Sequence, residues 1–219
     1  MAEKFDLIVF DWDGTLMDSA ARIVASLQAA GADLALLAKT DAECRNVIGL
    51  GMQEAIQYLH SDIDPGHIPS FADRYRHHFL VGCTQPEVLF EGVHGILQTL
   101  AQRQLWLGVA TGKGRKGLDR VLQQTDCSRY FHSTRCADET SSKPDPMMLH
   151  EIMDELGVAP ERTLMVGDTE YDLEMAQRAG TAALAVSYGA HESERLHSYQ
   201  PLACLNSIDE MAQWLAVNI

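Results

Sequence analysis

Two carboxylates, placed directly after a predicted buried strand, are the side chains of this chain best suited to chemistry. Asp11 and Asp13 follow the apolar residues 7–10 and precede Gly14 and Thr15. Burying each carboxylate costs several kcal/mol unless a cation or hydrogen bonds compensate it. The pair suits a reaction in which one acid attacks phosphorus, the other moves a proton, and a metal ion neutralises both. The alternative is a polar turn, because Asp and Gly are ordinary turn residues.

Three more polar clusters lie near the ends of predicted strands. They are Thr111-Gly112-Lys113 after the strand 105–110, Lys143-Pro144 before the helix that follows the strand 131–136, and Gly167-Asp168 with Asp172 after the strand 163–166. In an open α/β sheet, ligands bind at the carboxyl ends of the strands. We therefore expect all four clusters to converge on one edge. Each cluster alone is typical of a turn or a solvated lysine, so the prediction depends on their shared placement.

Helical and strand patterns alternate in the second part of the chain. Helices are predicted over about 93–103, 115–124, 146–156, 171–179 and 207–217, and strands over 105–110, 131–136, 163–166 and 182–186. This alternation, with residues 5–11 as the first strand, predicts an α/β fold with a doubly wound, Rossmann-like parallel sheet.

The region between the first strand and this alternation carries helical patterns alone. They cover about 19–30, 52–60 and 66–81, and Thr40 begins a further helix with a capping box. We therefore predict an all-helical insertion at residues 16–87. The α/β core is predicted to consist of residues 1–15 and 88–219.

The composition limits the partners and the compartment. The 17 Lys and Arg residues against 31 Asp and Glu residues give a net charge of −14, which argues against a general nucleic-acid-binding face. No apolar run approaches the roughly 20 residues of a membrane span. The N-terminus lacks the basic and apolar regions of a signal peptide. Five scattered cysteines without a Cys-x-x-Cys pair favour a soluble protein in the reducing cytoplasm.

The four clusters, in this order, resemble the motifs of the haloacid dehalogenase superfamily. The chain is most similar to its phosphoglycolate phosphatase-like group, which has a helical cap after the first motif. Asp11-x-Asp13-Gly14-Thr15 matches the first motif and Thr111 the second. Lys143 matches the third motif and Gly167-Asp168-x-x-x-Asp172 the fourth. The resemblance extends over the whole chain and implies a phosphatase with a cap over residues 16–87.

The resemblance implies a covalent mechanism whose residue roles also make chemical sense. Asp11 is expected to be the nucleophile and to form an aspartyl-phosphate that water hydrolyses. Asp13 is expected to be the general acid and then the base. Thr111 and the Gly112 N–H are expected to hold phosphate oxygens, and Lys143 to neutralise the charge on Asp11 and the phosphoryl group.

The resemblance also implies a Mg²⁺ site, because hard cations take oxygen ligands. Asp11 and Asp168 are expected to bind the ion directly. Asp13 is expected to contribute its backbone carbonyl, and Asp172 to orient a metal-bound water or Lys143. The expected partner is a small anionic phosphorylated substrate, without nucleic acid or membrane, and the protein is expected to be a monomer or a homodimer.

Several alternatives remain open at this stage. A phosphosugar mutase or a pyrophosphatase of the same superfamily would use the same core, and a non-catalytic phospho-ligand binding protein is a further alternative. Arg45 is a hypothetical contact for a substrate carboxylate, and Met52 lies in the loop expected to face the site. Lys113, Arg115 and Lys116 form a positive cluster that could attract an anionic substrate, or that is simply exposed.

Overall fold

A computed structural model describes residues 5–84 and 87–219 of the chain. The described strands, in chain order, are β1 (Leu7–Phe10), β2 (Met17–Asp18), β3 (Val88–Leu89), β4 (Trp106–Thr111), β5 (Ser133–Cys136), β6 (Thr163–Gly167), β7 (Ala182–Val186) and β8 (Cys204–Leu205). Six of these strands form one sheet, in the order β5-β4-β1-β6-β7-β8. Every pair in this sheet is parallel, which confirms the predicted doubly wound α/β fold.

Strand order determines where a ligand site can form. The chain runs from β1 outward through β4 to β5, and then returns to place β6 on the other side of β1. The direction of winding therefore reverses beside β1, and a crevice opens at the carboxyl ends of the strands at such a reversal. Asp11 and Asp13 lie directly beyond the end of β1, at this crevice.

Helices cover both faces of the sheet. The α-helices, in chain order, are α1 (Ala20–Asp33), α2 (Asp41–Asn46), α3 (Met52–Leu59), α4 (Ile68–His77), α5 (Val93–Gln102), α6 (Arg115–Gln124), α7 (Met147–Leu156), α8 (Glu170–Ala179), α9 (Ser193–His197) and α10 (Ile208–Asn218). Helices α5, α6 and α10 share one apolar cluster with Ile8 and Phe10 of β1. Helices α7 and α8 share another with Leu7 and Val9. All four side chains of β1 are thus buried, alternately on the two faces, as expected for a central parallel strand.

Helices α1 to α4 and a following π-helical turn (His78–Gly82) form a separate helical segment, residues 20–82. Its apolar side chains, including Leu27, Ile56 and Phe71, pack into a cluster of their own. Thr40 begins α2 with the predicted capping box, because its hydroxyl accepts from the Glu43 N–H and the Glu43 carboxylate accepts from the Thr40 N–H.

The prediction that residues 16–87 are entirely helical is wrong at its start. Residues 17–18 form β2, which pairs antiparallel with β3 at residues 88–89, so that Met17 lies opposite Leu89. A two-residue strand has no periodicity that a sequence pattern could reveal. This strand pair lies where the chain leaves the core for the helical segment and where it returns.

Two further elements lay outside the sequence prediction. Strand β8 adds an edge to the sheet beside β7, and α9 precedes it. Both are too short for a reliable periodic signal. Among the described residues, no helix combines the length and apolar character required to cross a membrane.

Candidate active site

The end of β1 places both acids of the first motif in the interior. Asp11 is 1% exposed and Asp13 is 8% exposed. The Asp11 N–H donates to the Val166 carbonyl at 2.9 Å, which continues the β1–β6 pairing by one residue and holds the Asp11 backbone in place. Burial raises the pKa of the Asp11 carboxyl well above its ordinary value, although nearby Lys143 acts in the opposite direction.

Lys143 lies between two of the buried carboxylates. Its Nζ donates to Asp11 Oδ1 at 2.7 Å and to Asp172 Oδ1 at 2.6 Å, and the lysine is 1% exposed. Burial lowers the pKa of this lysine, but its attraction to Asp11 and Asp172 outweighs burial and the net shift is upward. The ammonium therefore stays charged and compensates part of the negative charge at the strand ends.

Asp172 is held from two directions within the first turn of α8. Its Oδ1 accepts from Lys143, and its Oδ2 accepts from the Thr169 hydroxyl at 2.7 Å and the Thr169 N–H at 3.1 Å. Thr169 and Asp172 thereby form a capping box that begins α8. The bonds that begin the helix also orient the carboxylate.

Asp168 is fully buried and is surrounded by loops that approach very closely. Its Oδ1 accepts from the Thr15 hydroxyl and its Oδ2 from the Ala190 N–H, both at 2.7 Å. A Cβ at Gly14 or Gly189 would overlap the Asp168 carboxylate, and Gly14 has a φ of +91°, so glycine is required at Gly14 on both grounds. Burial, and then the neighbouring charge of Asp172, raise the pKa of Asp168 to about 7.

Three of these carboxylates form a group that could hold a metal ion. Asp11, Asp168 and Asp172 each offer an oxygen, and these oxygens lie within 4.8 Å of one another. Asp11 Oδ2 is buried without a hydrogen-bond partner. A buried, unpaired carboxylate oxygen is costly, and a cation at this point would remove that cost. An all-oxygen donor set fits a hard divalent cation such as Mg²⁺ or Ca²⁺.

The Asp13 side chain lies outside this carboxylate group. Its Oδ1 accepts from the Ser19 hydroxyl at 2.7 Å, and its carboxylate pairs with Lys113, with Nζ 3.0 Å from Oδ2. Ser19 is the N-cap residue of α1 but makes no side-chain cap bond, since its hydroxyl is used for Asp13. The predicted metal contribution of Asp13 was its backbone carbonyl, and that contribution stays a prediction.

Thr111 and Gly112 lie at the end of β4, next to β1. Thr111 is fully buried, and its hydroxyl accepts from the Lys113 N–H at 3.1 Å. A Cβ at Gly112 would overlap the carbonyls of Gly49 and Leu50. These carbonyls belong to the loop between α2 and α3, so the helical segment meets the core directly over the second motif.

A cavity of about 990 Å³ lies between the helical segment and the edge of the sheet. Its core-side wall includes Asp11, Asp13, Thr111 and Lys113, so both acids of the first motif face the same space. Phe79 of the π-helical turn adds its ring, with the Lys113 Nζ 4.8 Å from the ring centroid. The structure thus brings together an acid with a free oxygen, a second acid and a hydroxyl around one cavity.

Two predictions about the surroundings have different outcomes. Met52 lines the cavity, whereas Arg45 is not among the described lining residues, so the structure does not support a substrate contact by Arg45.

The positive cluster of Lys113, Arg115 and Lys116 is partly neutralised. Lys113 pairs with Asp13, and Arg115 pairs with Glu139 at 2.7 Å. The proposed positive cluster therefore has at least two members with carboxylate partners.

Sequence reasoning missed several contacts of the site residues. Thr15 and Ser19 lie within or just after the first motif, and their hydroxyls near two acids were a signal that could have been used. The Ala190 N–H offered no signal, because any residue except proline has that donor. The Tyr171 hydroxyl donates to the Asn46 carbonyl at 2.7 Å, which links α8 to the helical segment.

Comparison with known proteins supplies independent information. The sequence model of the family described as "Haloacid dehalogenase-like hydrolase" matches residues 8–186. A Dickeya dadantii protein with the name "Probable phosphatase IndB" is 32% identical over 209 residues, which are 94% of this chain and 91% of that protein. A phosphoglycolate phosphatase of Aliivibrio fischeri is 28% identical and covers 92% of each chain. The crystal structure of a hydrolase from Pseudomonas syringae shares the fold, with a TM-score of 0.88 at 20% identity over 97% of this chain and 98% of that one.

Proposed function

We propose that this chain, a phosphatase that belongs to the haloacid dehalogenase-like hydrolase family, hydrolyses phosphate monoesters of small molecules through a covalent intermediate on Asp11. One observation carries the proposal. Asp11 faces the cavity, one of its oxygens is bound by Lys143, and its other oxygen has no partner. A carboxylate has two oxygens, so that one can attack phosphorus while the other binds a cation, and the lysine beside Asp11 stabilises negative charge as it develops.

The proposed reaction has two steps. In the first, a carboxylate oxygen of Asp11 bonds to phosphorus, the bond between phosphorus and the ester oxygen breaks, and Asp13 gives a proton to the departing alkoxide. In the second, Asp13 takes a proton from water as the water oxygen bonds to phosphorus, and the bond from Asp11 to phosphorus breaks. Thr111 and Gly112 hold phosphate oxygens during both steps, and Lys143 stays protonated beside Asp11.

The carboxylate group fits a divalent metal, and we assign it to Mg²⁺. Asp11 and Asp168 would bind the ion, Asp172 would orient Lys143 or a bound water, and Asp13 would add its backbone carbonyl. When bound, the ion would draw negative charge from the phosphate oxygens and reduce the repulsion between phosphate and carboxylates. A Mg²⁺ ion demands near-octahedral geometry at short distances, whereas Ca²⁺ takes more ligands at longer distances. Ca²⁺ is therefore expected to inhibit the reaction.

We further propose that residues 16–87 act as a cap over the core of residues 1–15 and 88–219. The contact of Gly49 and Leu50 with Gly112 supports this proposal, because it places the helical segment over the second motif. The Gly51 N–H also donates to the Ser142 hydroxyl of the core at 2.7 Å. A cap that closes over the cavity would exclude bulk water from the phosphoryl transfer.

The Asp11→Asn variant tests the covalent mechanism. An amide is a poor nucleophile, so phosphate release should fall to about 1% of the wild-type rate or less, while the circular dichroism spectrum stays unchanged. Asp18→Asn is a matched control, because Asp18 is exposed and lies outside the carboxylate group. EDTA should abolish wild-type activity and Mg²⁺ should restore it. Turnover above a few per cent in Asp11→Asn, or full activity in EDTA, would contradict the proposal.

A further inference from the structure

The wall of the cavity that the helical segment forms is mostly apolar. It is formed by side chains of α1, α3, α4 and the π-helical turn, among them Ile23, Leu27, Ala55, Ala72, Tyr75 and Phe79. The rings of Tyr75 and Phe79 lie 5.7 Å apart between centroids, with a tilt of 32° between their planes. The cavity therefore extends from polar core residues to an aliphatic and aromatic surface.

The Arg22 guanidinium lies 5.0 Å from the centroid of the Phe79 ring and its Nε donates to the Phe79 carbonyl, but Arg22 is not among the described residues that line the cavity. The helical segment therefore contributes little positive charge to the lining itself. Its single cation among the described lining residues is Arg76, whose side chain is 61% exposed and pairs with Asp73 at 2.6 Å. Helix α3 instead contributes an acidic residue, Glu54, to the lining. An anionic group on the leaving part of a substrate would thus meet apolar side chains and a like charge.

The cations on the core side are mostly already paired. Three of them bind carboxylates, namely Lys113 with Asp13 at 3.0 Å, Arg115 with Glu139 at 2.7 Å and Arg120 with Glu87 at 2.7 Å. The fourth, Lys116, is exposed. A carboxylate or a second phosphate on the leaving group would have to displace one of these pairs or stay in the solvent near Lys116.

From this arrangement we infer that the substrate is a phosphate monoester whose leaving group is uncharged and has an apolar ring, aromatic or alicyclic, that lies against the helical segment. The inference rests on the proposed function, because the core residues must hold the phosphate. The volume of about 990 Å³ is sufficient for a ring of this kind, since ligand cavities commonly measure about 300–1,000 Å³. Apolar contact favours the ring, whereas a carboxylate would lose its hydration without gaining a cation.

The first test compares esters with similar leaving groups. 1-Naphthyl phosphate is compared with phenyl phosphate, and cyclohexylmethyl phosphate with phosphoglycolate, by kcat/KM for phosphate release in Mg²⁺. We expect the larger apolar ester to be better by at least about fivefold in the first pair and tenfold in the second. Equal or higher kcat/KM for phosphoglycolate would overturn the inferred substrate class and leave the phosphatase proposal intact.

Binding to the Asp11→Asn variant separates recognition from turnover. Calorimetry with cyclohexylmethyl phosphate and with phosphoglycolate should give a Kd at least about tenfold lower for the former. If the variant shows this binding preference but the wild-type protein hydrolyses none of the esters, the proposed function is contradicted and the inferred ligand class is not. Tighter binding of phosphoglycolate would overturn the inference even if all four esters are hydrolysed.

Variants of the apolar wall provide the second test. Ala72→Trp fills part of the cavity and should lower the ratio of kcat/KM for cyclohexylmethyl phosphate to that for acetyl phosphate by about tenfold. Ala42→Trp is the matched control, since Ala42 is exposed on α2 outside the cavity, and it should leave this ratio unchanged.

Met52→Arg adds a cation at a half-buried position of the lining. It is a second, independent variant of the wall, in case Ala72→Trp does not fold. It should shift the preference toward phosphoglycolate by about tenfold. Unchanged ratios in both folded wall variants would overturn the inference.

Discussion

Replacing Lys143 with methionine should destabilise the protein strongly in the absence of metal. The methionine fills similar space but leaves Asp11, Asp168 and Asp172 buried without the ammonium that lies 2.7 Å from Asp11 and 2.6 Å from Asp172. Removing one partner of a buried ion pair typically costs about 3–5 kcal/mol. For a chain of this length, 1 kcal/mol shifts Tm by about 2–4 °C, so a loss of about 6–20 °C is expected.

The conditions decide how large this loss is. The loss should be greatest near pH 8 in EDTA and smaller near pH 5.5, because burial raises the pKa of Asp11 and that of Asp168, and a protonated carboxyl needs no neighbouring cation. Mg²⁺ at about 100 times its Kd should restore about 2.7 kcal/mol if it binds the folded state alone.

Thermal unfolding followed by circular dichroism measures these effects for the wild type and for the Lys143→Met variant. Lys116→Met is the control, because Lys116 is exposed, and it should change the free energy of unfolding by less than about 0.5 kcal/mol. If Lys143→Met unfolds within about 2 °C of the wild type near pH 8 in EDTA, the carboxylates do not depend on this lysine and the electrostatic account is wrong.

Three more outcomes are expected. Asp13→Asn should slow the release of an alkyl alcohol by about 10²–10⁴ but that of p-nitrophenol far less, because only the poor leaving group needs a proton. Equal decreases in the two release rates in single-turnover experiments would exclude the acid role. The increase in Tm caused by Mg²⁺ should be larger near pH 8 than near pH 6, because burial raises the pKa of Asp168 to about 7 and a protonated carboxyl does not bind the ion. An increase in Tm that does not depend on pH would remove Asp168 from the ligand set. Burial lowers the pKa of His191 from 6.5 to about 4. The neutral imidazole therefore contributes stability that is fully present above pH 6.5 and is lost as the pH falls toward 4, by about 1.4 kcal/mol near pH 5.5. A His191→Gln variant that keeps the full pH dependence of stability would refute this assignment.

The sequence alone predicted the fold class and the polar residues that the structure brings together at the strand ends, for a local reason. A parallel strand buried on both faces is apolar throughout, and residues 7–10 have that pattern. Since carboxyl ends of parallel strands share one edge, polar residues that follow successive strands must lie near each other. Asp11, Thr111, Lys143 and Asp168 could therefore be grouped before any contact between them was known.

Short elements and pairings distant in the chain depended on the tertiary structure. Strands β2 and β8 have two residues each, too few to show a period, and they exist because β3 and β7 offer partners. Lys113 looked like a member of an exposed positive cluster, yet it binds Asp13, which is 100 residues away in the chain. Because β4 lies beside β1 in the sheet, Lys113 after β4 can reach Asp13 after β1.

The composition of the cavity lining was equally a result of the tertiary structure. Arg45 and Met52 both lie near the loop between α2 and α3, but only Met52 lines the cavity among these two. A helix presents successive residues to different sides, so proximity in sequence does not decide which side chain faces the core. The sequence thus predicted which polar side chains meet at the strand ends, whereas the tertiary structure decided which side chains of the helical segment line the cavity beside them.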